Sequence, residues 1–385
     1  MKQILALFML SMPYIILAQN NGTFSDSSSI KILKEYTYIS GFKDFNYSEV
    51  IVNTNTKDGS LMGLIDRNGK EVIPTKYNTV SCCTNKKGYI LVGKPSKMGL
   101  IDKNNNIVIP LKFNYLDTWN DENYIIFSEG SISDVGVMNY KGQIIISNLS
   151  NYSTITVLGK NSFATIKDAK FSNDYIPRLL SGKCVIIDEK QNTIKYFPNY
   201  TYIGRNIGEG LFEFKSNGKY GAIDAKGNEI IKPLYDEIDV FSDGLLRVNI
   251  HNHKYTNKDS YESQYGFIDK KGKVIVPLIY TEIDYKFQEG LVGLRFKDDG
   301  WKWGYMDKNQ KTIIHGIFQK GEGFSDGLAK VITDDNKNNF IDKTGKIVFT
   351  YDEVNTFKNG LAVIKIDGKY AIMNNKGDIL LKTKQ

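Results

Sequence analysis

The residues of this sequence that are best suited to chemistry are few and scattered. Histidine occurs three times, at His251, His253 and His315. His251 and His253 share one face of a predicted strand and could hold a metal ion together, but no cysteine or third histidine lies near them in sequence. We therefore interpret this stretch as an exposed hairpin tip and keep the pair as weak candidates for a metal site. His315 stands where a similar upstream segment has Pro277, so we interpret it as a tolerated substitution.

A recurrent aspartate is the second candidate for chemistry. It follows a short apolar run, and its copies are Asp66, Asp102, Asp224, Asp269, Asp307 and Asp342. Asn139 and Asn374 replace the aspartate in two further copies. A neutral amide can cap a turn but is a poor substitute for a metal-binding carboxylate, so we predict that these side chains shape turns. We predict no catalytic residue, no metal and no cofactor.

Sequence signatures of known catalytic centres do not occur in the chain. It has no Gly-x-Ser-x-Gly elbow, no His-Glu-x-x-His helix and no phosphate-binding P-loop. We therefore predict that the protein is not an enzyme. The one enzyme class left open is a hydrolase whose carboxylates meet across strands.

Exposed aromatic rings are the best ligand-binding candidates. Trp303 occupies a core position of a predicted strand, whereas Trp301 lies beside the Asp299-Gly300 turn and could present a flat face to a sugar. Burial of both rings in the core is the alternative, and the sequence favours it. Tyr255 and Tyr261, in a long polar hairpin, are further speculative ligand-binding residues.

A short all-β repeat must position these residues. About nine units are visible, with anchors near residues 63, 99, 136, 185, 221, 266, 304, 339 and 371. The predicted anchor glycines are Gly63, Gly99, Gly136, Gly221, Gly266 and Gly304. A glycine inside a strand often marks a bulge or a close approach of two backbones. Each unit is expected to be a three-stranded meander with a proline-aromatic connector, and neighbouring units complete its core.

One family resembles this pattern. Trp303-Gly304, preceded by Lys302, is similar to the WG or KWG β-repeat, as are the Tyr-Gly and Met-Gly pairs at equivalent positions. The resemblance covers about residues 49–385, and the glycine is absent at three anchors, Val185, Asn339 and Ala371. It implies an all-β repeat protein of a kind frequent among exported bacterial proteins, and it supplies no catalytic residues.

Two architectures suit such an array. A closed β-propeller has four-stranded blades, usually about four to eight of them, whereas an open solenoid tolerates any number of units. Nine three-stranded units, uneven spacing and a complete C-terminal copy lead us to predict an open, curved β-solenoid, with a closed propeller as the alternative. Residues 19–48 would cap the first unit, and lysines on the last strand would protect the other end from edge pairing.

The N-terminus predicts export. Residues 1–18 combine a basic start, an apolar run and a small residue at the end, which is typical of a secretory signal peptide. We expect a periplasmic or extracellular monomer without a transmembrane segment. The net charge of +7 is dispersed, so no nucleic-acid partner is expected. Either Cys82 or Cys83 could bridge to Cys184, and free or buried thiols are the alternative.

Function in repeat proteins often lies where the copies differ. Here the copies differ in the hairpin of residues 248–264, in the loop of residues 167–183 and at Trp301. We expect an exported, non-catalytic scaffold that mediates protein interactions in the bacterial cell envelope. The alternative is glycan or cell-wall binding through exposed aromatics.

Overall fold

Strands make up all the regular structure that can be described. The computed structural model describes residues 31–33, 38–40, 50–56, 59–66, 69–81, 88–118, 121–130, 135–147, 152–171, 179–252, 262–351, 353–366 and 368–383. In those residues 36 strands form nine small sheets. The same residues contain no helix that is both long and apolar enough to cross a membrane.

Each sheet is one blade, and the strands are numbered in chain order. Blades 1 to 3 contain β2 (Tyr38–Ser40), β3 (Val50–Thr56), β4 (Gly59–Ile65) and β5 (Glu71–Tyr77); β6 (Thr79–Ser81), β7 (Ile90–Lys94), β8 (Lys97–Ile101) and β9 (Ile107–Phe113); and β10 (Tyr115–Asp117), β11 (Tyr124–Ser128), β12 (Val135–Asn139) and β13 (Ile144–Ile146). Blades 4 to 6 contain β14 (Tyr152–Gly159), β15 (Ser162–Phe171), β16 (Leu179–Ile187) and β17 (Thr193–Phe197); β18 (Tyr200–Gly208), β19 (Leu211–Ser216), β20 (Lys219–Asp224) and β21 (Glu229–Tyr235); and β22 (Glu237–Ser242), β23 (Leu245–Asn252), β24 (Glu262–Asp269) and β25 (Val274–Tyr280). Blades 7 to 9 contain β26 (Leu291–Phe296), β27 (Lys302–Asp307) and β28 (Thr312–Phe318); β29 (Lys320–Gly321), β30 (Ala329–Ile332), β31 (Asn338–Ile341) and β32 (Ile347–Tyr351); and β33 (Glu353–Val354), β34 (Leu361–Ile366), β35 (Lys369–Asn374) and β36 (Ile379–Thr383), with β1 (Lys31–Leu33) as a fifth strand.

The unit has four strands, which we call A to D in chain order, and the predicted three-stranded meander is therefore wrong. The missing member is strand A, which precedes the Phe-x-x-Gly-Leu element and is only two residues long in β29 and β33. In blade 7 it is reduced to an isolated bridge between Ile283 and Leu294. Segments this short cannot show the alternation that predicts a strand.

The nine blades close into a ring, so the structure is a nine-bladed β-propeller. Strand β1 pairs in parallel with β36, with Lys31 opposite Leu381. Val52 and Ile65 of the first blade share a buried cluster with Val363 and Ile372 of the last. The predicted open solenoid is wrong, and the closed alternative holds. A complete last copy does not prevent closure because a fifth strand joins it from outside, and the lysines of β36 therefore do not guard a free end.

The core is divided into layers between blades. Nine buried apolar clusters each draw their members from two consecutive blades around the ring. Between blades 6 and 7, for example, Phe267 and Val276 pack with Phe287, Val292 and Met306. No blade therefore has a core of its own, which is the expected behaviour of a repeat array.

The anchor glycines lie in strand C, where strand D passes very close. A Cβ atom added at Gly63, Gly221, Gly266 or Gly304 would lie 2.5 Å from a carbonyl oxygen of strand D. In these blades the C–D register shifts twice within a few residues.

Blades 8 and 9 lack the first of these two shifts. Asn339 lies directly opposite Thr350, and Ala371 lies directly opposite Lys382. The glycine is therefore tied to the extra bulge, and a side chain returns where the bulge is missing.

Candidate functional site

The alternating strands give the ring two distinct faces. Because consecutive strands are antiparallel, the A–B and C–D turns lie on one face, which we call the A–B face. The B–C turns and the D-to-A links between blades lie on the other, which we call the B–C face.

The C–D turns of the A–B face use the recurrent aspartate in one way. Oδ1 of Asp224 accepts hydrogen bonds from the backbone N–H groups of Lys226 at 2.9 Å and Asn228 at 2.8 Å. The same two backbone bonds are accepted by Asp102, Asp269, Asp307, Asp342, Asn139 and Asn374. Asp66 accepts from the N–H of Lys70 at 2.8 Å. These carboxylates are thus occupied within their turns.

Hydrogen bonding within the turn also lowers the pKa of Asp102. The side-chain amide and backbone N–H of Asn106, with the N–H of Asn104, lower the pKa of Asp102. Among the residues that can be described, no three histidine, cysteine or acidic side chains are grouped so that they could hold a metal ion.

The A–B turns connect neighbouring blades. Oδ2 of Asp243 accepts a hydrogen bond from the N–H of Gly290 in the next blade at 2.8 Å. Asp326 makes the equivalent bond to Gly360 at 2.9 Å. The acidic residue of the Phe-x-x-Gly-Leu element therefore has a structural role between blades.

The B–C face carries all three features at which the copies differ. The sequence differences at residues 167–183 and 248–264 fall on the B–C connections of blades 4 and 6, and Trp301 falls on that of blade 7. Strands β15, β16, β23 and β24 extend into these connections. Three predicted candidates, His253, Tyr255 and Tyr261, lie outside the described residues.

Trp301 has an unusual conformation for its size. Its φ is +60°, the residue is 47% exposed, and it directly precedes strand C. The residues that directly precede strand C in blades 2, 5 and 9 also have positive φ, but they are Ser96, Gly218 and Gly368. A left-handed conformation disfavours a bulky side chain by about 1–2 kcal/mol. The sequence favoured burial of both tryptophans. The exposure of Trp301 shows that this is wrong for Trp301.

Several polar contacts fix the Trp301 turn. The N–H of Trp301 donates to the carbonyl of Phe296 at 2.9 Å. Nη1 of Arg295 donates to the carbonyl of Trp301 at 2.6 Å, and its Nε donates to Oε2 of Glu282 at 2.7 Å. Lys302, the next residue, forms an ion pair with Asp334 of blade 8. The turn is thus held from its own blade and from its neighbour.

Asp299 and His315 form a second part of the same turn. Oδ2 of Asp299 accepts a hydrogen bond from the N–H of Gly316 at 2.7 Å and lies 3.4 Å from Nδ1 of His315. The imidazole is 77% exposed. Treating His315 as a tolerated substitution missed this pairing. The sequence did offer a signal for this pairing, namely an aspartate in the B–C turn of the same blade. Strand D of that blade contains a bulge and ends beside this turn.

Trp303 contrasts with Trp301, two residues away. A Cβ atom added at Gly293 would lie 2.6 Å from the Trp303 indole, and one added at Gly321 would lie 2.3 Å from it. These two glycines therefore leave room for the ring. Trp303 packs against the cluster between blades 7 and 8. It therefore contributes to the core.

The remaining histidine and cysteine candidates have structural surroundings. His251 donates its backbone N–H to Asp236 at 2.8 Å, and the same aspartate accepts from Nζ of Lys219 at 2.7 Å. Cys184 has a free thiol buried between blades 4 and 5, and burial raises its pKa to about 11. Cys82 and Cys83 lie outside the described residues.

One carboxyl group has the raised pKa expected of an acid catalyst. Burial raises the pKa of Asp284, the single described carboxyl that shifts in this direction. Asp239 and Glu322, at the equivalent positions of blades 6 and 8, pair with Arg247 and Lys330, but Asp284 lies opposite Gly293. After burial, the charge of Glu322 adds to the raised pKa of Asp284, and Glu322 itself is paired with Lys330 at 3.1 Å.

Comparison with known proteins identifies the repeat. The family described as WG containing repeat matches residues 62–94, 98–131, 220–255, 265–301, 303–336 and 340–370, together more than half of the chain. The chain belongs to this family of WG-repeat proteins. Most of these WG repeats run from strand C of one blade to the end of strand B of the next. A WG repeat therefore straddles two blades and contains the interface between them.

Solved structures match the chain at low identity. The crystal structure of the eukaryotic initiation factor matches with a TM-score of 0.52 and 11% identity, over 84% of this chain and 89% of that one. BamB from Moraxella catarrhalis matches with a TM-score of 0.34 and 10% identity, over 89% and 95%. The tricorn protease matches with a TM-score of 0.31 and 10% identity, over 90% and 43%. No curated protein matches the chain in sequence.

Proposed function

We propose that this WG-repeat protein is an exported, non-catalytic scaffold of the bacterial cell envelope that binds a partner protein through its B–C face. The observation that carries the proposal is the position of the irregularities. From blade 4 to blade 9 the A–B face repeats two turn designs whose acidic groups are occupied, whereas the B–C face of the same blades carries both longer connections and the exposed Trp301. In repeat proteins, insertions confined to one face often mark the binding face.

The proposal of a non-catalytic role is supported by the state of the carboxylates. The recurrent aspartates cap turns, and Glu322, whose charge adds to the effect of burial on the pKa of Asp284, is held by Lys330. General acid–base chemistry on a glycoside or a similar substrate needs two carboxyl groups with different environments. Export follows from the predicted signal peptide, whose residues the structure does not describe.

The test compares a change on each face. In the B–C variant, residues 253–261 are replaced by Asn-Gly, which is the turn that Asn217 and Gly218 form in blade 5. Its matched control on the A–B face of the same blade is Lys270→Ser with Lys271→Ser. Cross-linking and pull-down from envelope extracts should recover a partner with the wild type and the control but not with the B–C variant. Recovery of no partner at near-native abundance, or equal loss from both variants, would count against the proposal.

Glycan binding is the second candidate function. Its support is the 47% exposure of Trp301 on a fixed turn, because an exposed indole offers a flat apolar face in water. Sedimentation of the purified protein with insoluble cell-wall glycan tests it directly. A protein that stays wholly in the supernatant removes this candidate and leaves the scaffold proposal standing.

A further inference from the structure

Trp301 bears a conformational cost that the fold does not require. The residue directly before strand C is Ser96, Gly218 and Gly368 in blades 2, 5 and 9, and the Trp301 ring belongs to none of the nine described core clusters. Trp303, in contrast, fills a gap in one of them. Residues held in sparsely populated backbone regions are concentrated at functional sites, so the conformation points to a role outside folding.

The indole is presented on a rigid support. Arg295 bonds the Trp301 carbonyl and is itself fixed by Glu282, while the Trp301 N–H bonds the carbonyl of Phe296. Asp299 ties the turn to the backbone of strand D through Gly316. A preorganised platform loses little conformational entropy when a ligand settles on it.

Hydrogen-bonding groups lie in the same turn as Trp301 and on the segment of strand D that the turn binds. With Nδ1 of His315 directed at Asp299 and the imidazole 77% exposed, Nε2 is left for a partner on the solvent side. Lys297 and Asp298, in the same turn, are exposed. The surroundings of Trp301 in its turn are thus charged and polar. An aromatic anchor for a protein partner would be expected among further buried apolar contacts.

A single flat apolar face bordered by polar groups matches the surface of a pyranose, which has an apolar C–H face and a rim of hydroxyls. We infer that the Trp301 turn is a saccharide subsite in which a pyranose ring stacks on Trp301 while the Asp299–His315 pair contacts its hydroxyl groups. The inference rests on glycan binding, the second candidate function, and assigns that ligand class to one part of the B–C face. Other regions of that face remain available for a protein.

The experiment measures binding of two soluble probes, chitotetraose and cellotetraose, to the full chain by calorimetry. The wild type should bind at least one of them. Trp301→Gly should weaken that binding about tenfold or more, the loss expected when an aromatic stack is removed. His315→Ala should weaken it about threefold, the scale of one hydrogen bond to a neutral ligand group. Ser96→Gly, at the same backbone position in blade 2, is the matched control and should leave binding unchanged.

Thermal unfolding of the same variants separates a ligand site from a structural residue. Glycine accepts a φ of +60° without strain, so Trp301→Gly should unfold at the same temperature as the wild type or higher. A variant that loses binding and keeps its stability supports the subsite. Unchanged affinity in Trp301→Gly, or no binding of either tetrasaccharide by the wild type, overturns it. If the wild type binds neither tetrasaccharide but still recovers a protein partner that the shortened hairpin variant loses, the subsite has failed and the proposed function has not.

Discussion

Two turns of this ring have nearly the same backbone and different surroundings. Asp243 and Gly244, on the A–B face, have φ values of 50° and 76°, and Asn217 and Gly218, on the B–C face, have 49° and 79°. Positive φ at both central residues defines the hairpin turn that best suits twisted strands. The Asp243 carboxylate bonds the next blade, whereas no interblade bond from the Asn217 side chain is found in the part of the chain that is described.

The difference shows how one repeat can be constrained on one face and variable on the other. The A–B turn contributes to the contact between blades, so its sequence cannot drift freely. The B–C turns do not share this repeated bond: that of blade 5 is a plain Asn-Gly turn, and that of blade 7 carries the unusual Trp301 and, among the polar contacts of the described residues, contacts blade 8 only through Lys302 and Asp334. If this is right, changes at the repeated positions must destabilise the protein more than changes in the B–C turns.

The largest effect is expected at an anchor glycine. Gly266→Ala places a Cβ atom 2.5 Å from the carbonyl oxygen of Val276, where backbone would have to move. We expect a loss of about 3 kcal/mol in the free energy of unfolding, the scale of an overpacked core site. The measurement is urea unfolding followed by circular dichroism.

The reverse change in blade 9 is the matched control. Ala371 lies in a C–D pair without the extra bulge, so Ala371→Gly should lose only about 1 kcal/mol, chiefly through chain entropy. Equal losses at the two positions would show that the close approach of strand D is not what selects glycine.

These anchor positions also show what the sequence could predict. The spacing of Gly63 to Ala371 indicates nine units, and nine blades are present, because the anchor recurs once in every strand C. Turns are similarly local, since Asp224 bonds residues only two and four positions away. Closure is not local, because it depends on three residues of β1 pairing with a strand some 350 residues further on.

The candidate site also combines a local feature, which the sequence shows, with a contact between separate strands, which it does not show. Trp301 stood out by residue type, because an indole beside an Asp-Gly turn is visible in the sequence. The pairing of Asp299 with His315 depends on the path of a bulged strand D past the B–C turn. A bulge shifts the register by whole residues, and spacing alone does not fix its position.

The next effect concerns the interblade link of the A–B face. Asp243→Gly keeps the backbone conformation but removes the carboxylate that accepts from Gly290, so we expect a loss of about 1 kcal/mol. Asn217→Gly makes the same kind of change on the B–C face and should alter stability by less than about 0.5 kcal/mol. Urea unfolding of the two variants side by side provides the comparison, and equal losses would contradict it.

A smaller effect, of opposite sign, is expected at Asp284. Burial raises the pKa of this carboxyl above its unfolded value, so the native state binds the proton more tightly than the unfolded state does. Its contribution to stability is therefore fully present below about pH 3.9 and is lost as the pH rises through the folded pKa. Asp284→Asn should raise the unfolding temperature at pH 7 and leave it nearly unchanged at pH 3.5.

The design of that variant keeps the local hydrogen bond. The Tyr285 N–H donates to Oδ1 of Asp284 at 2.7 Å, and the amide oxygen of asparagine can accept the same bond. Arg247 and Lys286 favour the charged form, whereas Glu322 opposes it, so removal of the charge also tests which of these influences dominates. A lower unfolding temperature at pH 7 would show that the cations outweigh burial.

The smallest effect is expected where the copies differ most. Replacing residues 253–261 by Asn-Gly joins Asn252 to Glu262, which already face each other across the hairpin. Because closing a shorter loop costs slightly less entropy, stability should change by less than about 1 kcal/mol, and any change should be an increase. Inserting the same nine residues between Asp243 and Gly244 displaces the bond to Gly290 and should be destabilising. If both changes proved equally harmful, the B–C connections would be part of the structural frame, and binding would have to be sought elsewhere on the ring.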